Sequence, residues 1–116
     1  MKARIAGIIL RAPDRHAAAR FYGEIGLATR EHEHGGPKHY EVGPLSTDCV
    51  VEIYKLGEGA LAQDALMIEV ESIGAVLEVC QRYEIKILSA LRETPTMNFI
   101  YVADPDGRHV MFIENR

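Results

Sequence analysis

The chain has 116 residues, enough for a single domain with its own hydrophobic core. Its 47% hydrophobic and 26% charged residues are typical of a soluble globular protein. A formal net charge of −4 gives no electrostatic reason to expect a nucleic-acid partner, and no apolar run approaches the length of a membrane span. Cys49 and Cys80 lack metal-type spacing, so we expect buried, reduced thiols in a cytoplasmic protein.

The first half of the chain predicts a strand, a helix and three further strands. Residues 4–11 are mostly apolar on both faces of the expected strand, which predicts a strand that is covered on both sides. Asp14 is a good N-cap for a helix over residues 16–25, and Gly26 is a helix stop. The buried face of this helix would carry Ala17, Phe21 and Ile25, with Ala18 and Tyr22 beside them. The later strands are predicted at residues 27–33, 38–42 and 48–56.

The second half repeats this order after a linker over residues 57–64. A strand over residues 65–70 precedes a helix that begins near Glu71 and Ser72, and a further strand is expected at residues 85–88. Asp-Pro-Asp-Gly at residues 104–107 predicts a tight turn between the last two strands. The second helix is expected to bury Ile73, Val76, Leu77, Cys80 and Tyr83.

Three stretches carry a resemblance to a known superfamily. Val-Ala-Asp-Pro-Asp-Gly-Arg-His-Val-Met-Phe-Ile-Glu at residues 102–114 resembles the closing hairpin of vicinal-oxygen-chelate proteins. These include glyoxalase I, extradiol dioxygenases and the bleomycin-resistance proteins. Phe-Tyr-Gly-Glu-Ile-Gly-Leu at residues 21–27 and Cys-Val-Val-Glu-Ile-Tyr at residues 49–54 are similar to the end of its first helix and to its fourth strand.

The resemblance implies an α+β fold in which two βαβββ modules form a curved mixed sheet that encloses a cavity. The whole chain, residues 1–116, would be one glyoxalase-like domain, with modules at about residues 4–56 and 65–115. Side chains alternate along each predicted strand, so that one face of the strand is uniformly apolar, and we expect that face to lie beneath the helices. The mixed faces, with acids, tyrosines and methionines, would then line the cavity. The superfamily commonly forms homodimers, which the resemblance implies here.

Metal-dependent members of the superfamily place one His, Gln or Glu ligand on each of four strands. By resemblance, those places fall on Gly7, Glu52, Ala65 and Met111. Only Glu52 offers a donor suited to a divalent ion, so the resemblance implies a branch with no metal and no cofactor. In a mostly apolar cavity, Glu52 would either favour its neutral form or pair with a cation.

Two functions fit these residues. The favoured one is a small-molecule-binding protein, resembling the bleomycin-resistance type, that sequesters an aromatic or cationic compound. The other is a cofactor-independent lyase or isomerase, with Glu52 as the catalytic general base and Tyr54, Tyr101 or His109 as proton donor. The predicted ligand-binding residues are Glu52, Tyr54, Met67, Glu69, Phe99, Tyr101, His109 and Met111.

A third, weaker hypothesis is a metal enzyme built on the histidines between residues 32 and 39. His32 and His34 would face the same way on one strand, and His39 on the next strand would complete the ligand set. A solvated edge strand and a polar hairpin explain the same residues, and the sequence favours that explanation.

Overall fold

A computed structural model describes residues 1–33, 36–43, 49–58 and 63–116. These residues contain two helices and eight strands, and the order β-α-β-β-β occurs twice, which confirms the predicted α+β class. The elements are β1 (Ala3–Ala12), α1 (Arg15–Ile25), β2 (Thr29–His32), β3 (His39–Val42), β4 (Val50–Lys55), β5 (Ala65–Val70), α2 (Ile73–Arg82), β6 (Arg92–Glu93), β7 (Met97–Ala103) and β8 (His109–Asn115).

The chain divides into two compact units, each with a mixed set of strands. The N-terminal unit comprises residues 7–64, and the C-terminal unit comprises residues 1–6 and 65–116. In the N-terminal unit the strand order is β2-β3-β4-β1, with β1 and β4 parallel and the other pairs antiparallel. In the C-terminal unit the order is β1-β5-β8-β7-β6, where β5 and β8 are parallel and β7 is antiparallel to both β8 and β6.

Helix α1 has the predicted cap residues, and it begins at Arg15, one residue before the predicted start. The Asp14 side chain accepts hydrogen bonds from the backbone N–H groups of His16 and Ala17, as an N-cap does. Gly26 ends the helix in the left-handed region at φ 119°, where a residue without Cβ is favoured.

The predicted buried face of α1 is wrong for Ala17, Phe21 and Ile25, which are exposed, whereas Ala18 and Tyr22 are half-buried. Phe21 and Ile25 are 59% and 64% exposed, and Ala19 is the fully buried residue of this helix. The small Ala19 side chain lets the helix backbone approach the sheet closely, with the half-buried Ala18 and Tyr22 beside it. The apolar stripe of α1 therefore points away from the core of its own unit.

The core of the C-terminal unit lies between α2 and the strands β5, β7 and β8. Ile73, Val76 and Cys80 on α2 are buried as predicted, whereas Leu77 and Tyr83 are exposed, contrary to the prediction. On the strands, alternate residues face the helix, and their uniformly apolar character confirms the expected face. This core contains Val70, Ile100, Val102 and Val110, with Ile68, Ile85 and Phe112 packed against it.

The segment predicted as a strand at residues 85–88 lies along β7 without forming a regular ladder. Ala103 N donates to Lys86 O, and Leu88 N donates to Tyr101 O, but Ile87 forms only an isolated bridge to Val102. Glu84 precedes this segment with φ 54°, which is unusual for a residue with a side chain. The regular short strand comes later, at Arg92–Glu93.

Two further sequence expectations are corrected by side-chain exposure. Ile5 and Ile8 are exposed on β1, so this strand is not covered on both sides within the described chain. Cys80 is buried as expected, but Cys49 is exposed. No helix in the described ranges is long and apolar enough to cross a membrane.

Candidate functional site

Helix α1 covers only one face of the strands in the N-terminal unit. His16 on the helix contacts Tyr40 on β3, with 2.7 Å between the imidazole Nδ1 and the phenol oxygen. Tyr40 pairs directly with Ile53 on β4, which is completely buried. Because side chains alternate along a strand, Glu41 and Glu52 point to the opposite face, which α1 does not cover.

A buried ion pair stands on this second face. His39 is 1% exposed, and its Nε2 lies 3.2 Å from Oε2 of Glu52. The imidazole stacks on the ring of Tyr54, with a centroid distance of 4.4 Å and an interplanar angle of 17°. The guanidinium of Arg11 lies 5.0 Å from the centroid of the same tyrosine ring. The structure thus brings the two predicted residues Glu52 and Tyr54 together around a histidine.

The hydrogen bonds of His39 define where its protons are. Its Nδ1 lies 3.2 Å from the carbonyl oxygen of Pro37, which can only accept, so Nδ1 carries a proton. Nε2 faces the Glu52 carboxylate, which favours the protonated form of the imidazole. Burial lowers the pKa of His39, but the hydrogen bond to Glu52, the Pro37 carbonyl and the charges of Glu52 and Glu41 outweigh it and raise that pKa. Glu52 therefore has the cationic partner that a sheltered carboxylate needs.

A second carboxylate lies next to this pair. Glu41 on β3 is directly opposite Glu52 on β4, and like charges in directly opposed positions repel each other. Arg30 on β2 is 2.8 Å from Glu41, and Nε2 of His32 is 3.7 Å from the other carboxylate oxygen. The uncovered face is therefore a charged cluster, in which cations alternate with two acids.

The corresponding row of residues in the C-terminal unit is apolar. Met111 on β8 pairs with Met67 on β5 at one side and with Tyr101 on β7 at the other. All three side chains are less than 9% exposed. The ring of Phe99 lies edge-on to Tyr101, with 6.1 Å between centroids. Thioethers and aromatic rings adapt to planar apolar partners, but they offer little charge.

The remaining predicted ligand residues lie elsewhere on the strands of the C-terminal unit. The Glu69 carboxylate forms an ion pair with Arg4 and accepts a hydrogen bond from the Asn115 side chain, so it has two partners within its own unit. His109 pairs with Ala65, and its Nδ1 is buried and finds no hydrogen-bond partner among the described residues. Of the eight predicted residues, Glu52 and Tyr54 belong to the N-terminal unit and the other six to the C-terminal unit.

The four positions that hold a metal in metal-dependent vicinal-oxygen-chelate proteins do not fit one here. Gly7 and Ala65 have no side-chain donor, and the thioether of Met111 is a poor ligand for hard or borderline ions. Met111 is also packed between its two strand neighbours. We therefore derive no reaction step through a metal at these positions.

The sequence predicted part of the charged cluster but not all of it. His32 and His39, part of the weaker metal hypothesis, lie opposite each other, with ring centroids 5.6 Å apart. His34 lies outside the described residues. Glu41 and Arg11 were not selected, although strand parity places Glu41 on the same face as His39. The missing information was the register between β3 and β4, which local sequence does not encode.

The comparisons with known proteins identify the fold. No protein-family profile and no curated protein matches the sequence, but solved structures match over nearly the whole chain. A glyoxalase/bleomycin resistance protein/dioxygenase superfamily member from Vibrio splendidus 12B01 is 16% identical, with a TM-score of 0.74, covering 99% of this chain and 100% of that chain. The hypothetical protein BH1468 from Bacillus halodurans C-125 is 13% identical, with a TM-score of 0.72 and coverage of 100% and 96%.

A third structural match has an enzymatic name. Methylmalonyl-CoA epimerase from Mycobacterium tuberculosis is 11% identical, with a TM-score of 0.71, covering 97% of this chain and 87% of that chain. At these low identities the likeness establishes the fold, which is that of the vicinal-oxygen-chelate proteins. Because one fold serves many functions, the function has to be argued from the residues of the site.

Proposed function

We propose that this chain is a small-molecule-binding protein of the glyoxalase/bleomycin-resistance type, which lacks the four-strand metal site of that superfamily and sequesters an aromatic or cationic compound. The observation that carries the proposal is the carboxylate of Glu52 on the face that α1 leaves uncovered. Its side chain is 13% exposed, so it is sheltered enough to bind strongly but still reachable. A ligand ammonium or N–H group would bind there.

The fold and the other sheet face support the same proposal. One solved protein of this fold is named a glyoxalase/bleomycin resistance protein/dioxygenase superfamily member. In the C-terminal unit, the row formed by Met67, Met111 and Tyr101 offers buried, adaptable and aromatic side chains, which suit a planar apolar group. We assign apolar ligand contacts to this row and to Phe99, and polar contacts to His109 and Glu69.

A thermal-shift screen with planar aromatic and cationic compounds tests the proposal, with a chelator present to remove metal ions. A ligand at a hundred times its Kd stabilises the native state by about 2.7 kcal/mol, which such a screen detects. We expect Glu52→Gln to lose the response to cationic compounds. Glu31→Gln, which removes a carboxylate paired with Arg15 elsewhere on β2, should retain it. Equal responses of the two variants would contradict the assignment of Glu52.

The His39–Glu52 hydrogen bond favours one alternative, a cofactor-independent lyase or isomerase. A carboxylate and an imidazole that share a proton can act as general base and acid, and here the pair is reachable through Glu52. Glu52 would be the base, with Tyr54, Tyr101 or His109 as donor. For an enzyme, Glu52→Gln should lower turnover by orders of magnitude while substrate still binds. For a binding protein, the same variant should change affinity alone.

We further propose that the chain acts in the cytoplasm as a homodimer. The support is the apolar surface left uncovered on each chain, with Phe21 and Ile25 on α1 and Ile5 and Ile8 on β1 all exposed. Light scattering coupled to size-exclusion chromatography measures the mass directly. A monomer mass at micromolar concentration would refute the dimer without affecting the assignment of the binding residues.

A further inference from the structure

We infer that His39, Glu41 and Glu52 form a binding site for a borderline divalent cation such as Zn²⁺, on the face of β3 and β4 that α1 does not cover. The three residues lie within one unit, on two hydrogen-bonded strands. Of the four positions that hold the metal in metal-dependent vicinal-oxygen-chelate proteins, this site uses only Glu52. Because the proposed function assigns the same Glu52 carboxylate to a ligand cation, metal binding is tested with no organic ligand present.

The donor atoms of the three residues lie close enough together to hold one metal ion. One imidazole nitrogen and two carboxylate oxygens, from His39, Glu41 and Glu52, all lie within 4.8 Å of one another. Zinc bonds to nitrogen and oxygen are about 2.0–2.2 Å long, so two ligands of a tetrahedron are roughly 3.3 Å apart. The separation of 3.2 Å between His39 Nε2 and Glu52 Oε2 is close to that value. An ion bound between these two atoms would replace the proton on Nε2.

The orientation of His39 is the one that a metal ligand requires. Ligating histidines usually donate their second ring N–H to a carbonyl or carboxylate, which fixes the tautomer and the ring plane. Here Nδ1 donates to the carbonyl of Pro37, which lies outside the cluster, and Nε2 points at the carboxylates. Stacking on Tyr54 further restrains the ring. The histidine is therefore preorganised, and it is 1% exposed.

The charges of the cluster also favour a divalent ion. Glu41 and Glu52 are directly opposed across β3 and β4, an arrangement that is unfavourable unless positive charge lies between them. Their side chains are only 16% and 13% exposed, so solvent screens their repulsion weakly. Arg30 and His32 partly neutralise Glu41 from its outer side. An ion between the two carboxylates would neutralise both.

The mixture of donors selects the class of ion. Imidazole with carboxylates suits zinc and neighbouring transition metals, whereas Mg²⁺ and Ca²⁺ bind through oxygen ligands. His32, with Nε2 3.7 Å from Glu41, is the nearest candidate for a fourth ligand after a small side-chain movement. We therefore expect Zn²⁺ to bind and Mg²⁺ not to bind.

Calorimetric titration of chelator-treated, dialysed full-length protein with Zn²⁺ tests the inference, together with thermal unfolding at each metal concentration. The wild type should bind one Zn²⁺ per chain and unfold at a higher temperature with the metal. Glu41→Gln and Glu52→Gln should each weaken the affinity by at least about tenfold, since each removes a ligand. Thermal unfolding of the metal-free variants shows whether they remain folded.

Two control variants remove potential zinc ligands that lie outside the cluster. Glu31→Gln removes a carboxylate on β2 that pairs with Arg15, and Cys49→Ser removes an exposed thiol. Both should bind Zn²⁺ as the wild type does. The inference is overturned if the wild type shows no saturable Zn²⁺ binding, if Mg²⁺ binds equally well, or if Cys49→Ser abolishes binding. It is also overturned if Glu41→Gln, still folded, binds as tightly as Glu31→Gln.

Discussion

Replacing Glu52 by Gln should destabilise the fold through His39, and the size of the effect should depend on pH. The substitution keeps the shape of the side chain and an acceptor oxygen but removes the charge that faces the buried imidazole. A hydrogen bond to a charged group contributes about 1.5–3 kcal/mol, and breaking a fully buried ion pair costs about 3–5 kcal/mol. Because Glu52 keeps 13% exposure and Gln can still accept, we expect the lower range, about 1.5–3 kcal/mol.

The pH dependence follows from the raised pKa of His39. A group whose pKa is raised by folding contributes stability that is complete below its unfolded value, here 6.5, and is lost as the pH rises through its folded pKa. The gap between wild type and Glu52→Gln should therefore be largest near about pH 6 and shrink towards about pH 9. Chelator in every buffer keeps metal ions from obscuring the comparison.

Urea denaturation at both pH values measures this gap. With slopes of about 1–3 kcal/mol per molar urea, the expected loss lowers the midpoint by roughly 1 M near pH 6. Glu31→Gln is the matched control, because its pair with Arg15 spans 3.4 Å and its side chain is 41% exposed. Exposed pairs contribute about 0–1 kcal/mol, so this variant should change little. A gap that is equal at both pH values, or larger at the higher one, would refute the ion pair.

Three further predictions concern other parts of the fold. Ile53→Ala should cost about 2–5 kcal/mol in urea denaturation, because Ile53 is completely buried beneath α1. Hydrogen bonds from the backbone N–H of Arg108 and neighbouring groups lower the pKa of Asp104. The wild type should therefore be more stable than Asp104→Asn at pH values above the ordinary pKa of 3.8. In an acid-unfolding series this advantage should disappear as the pH falls through the lower pKa of the folded state. Phe21→Ser combined with Ile25→Ser should leave unfolding of the monomer nearly unchanged and shift the light-scattering mass towards one chain, because both side chains are exposed.

Local signals predicted most elements of the fold. Asp14 and Gly26 delimit α1 because a capping carboxylate and a left-handed residue act within one turn of chain. The Asp-Pro-Asp-Gly turn behaves similarly, as Asp104 accepts from the backbone N–H groups of Asp106 and Arg108. Such interactions need only neighbouring residues, so their positions can be read directly from sequence.

Tertiary packing decided the features that sequence missed. The apolar spacing of Phe21 and Ile25 predicts a buried helix face, but the helix packs through Ala19, whose small size allows a closer approach. An exposed apolar stripe and a buried one have the same periodicity. Likewise, residues 85–88 have the composition of a strand, yet they make only irregular hydrogen bonds to β7. The local pattern does not show which neighbour a segment will have.

The candidate site shows the same limit for polar residues. The sequence indicated that Glu52 needs a cationic partner, from the cost of sheltering a charge, but not which residue supplies it. His39 lies on β3 and Glu52 on β4, and only the register between these two strands brings the side chains together. Rules that consider neighbouring residues alone do not predict that register. Strand parity can assign a residue to a face, whereas the pairing of two strands requires the fold.

The two units have the same strand pairing but differ in the chemistry of one row of residues across the strands. In each unit the last strand pairs in parallel with the first and antiparallel with the one before it. The row across these strands contains Glu41, Glu52 and Ile9 in the N-terminal unit. In the C-terminal unit the row contains Tyr101, Met111 and Met67. A carboxylate at the position of Glu52 is tolerable because His39 supplies a cation, and the thioether of Met111 needs no such partner. This row is therefore charged in the N-terminal unit and apolar in the C-terminal unit.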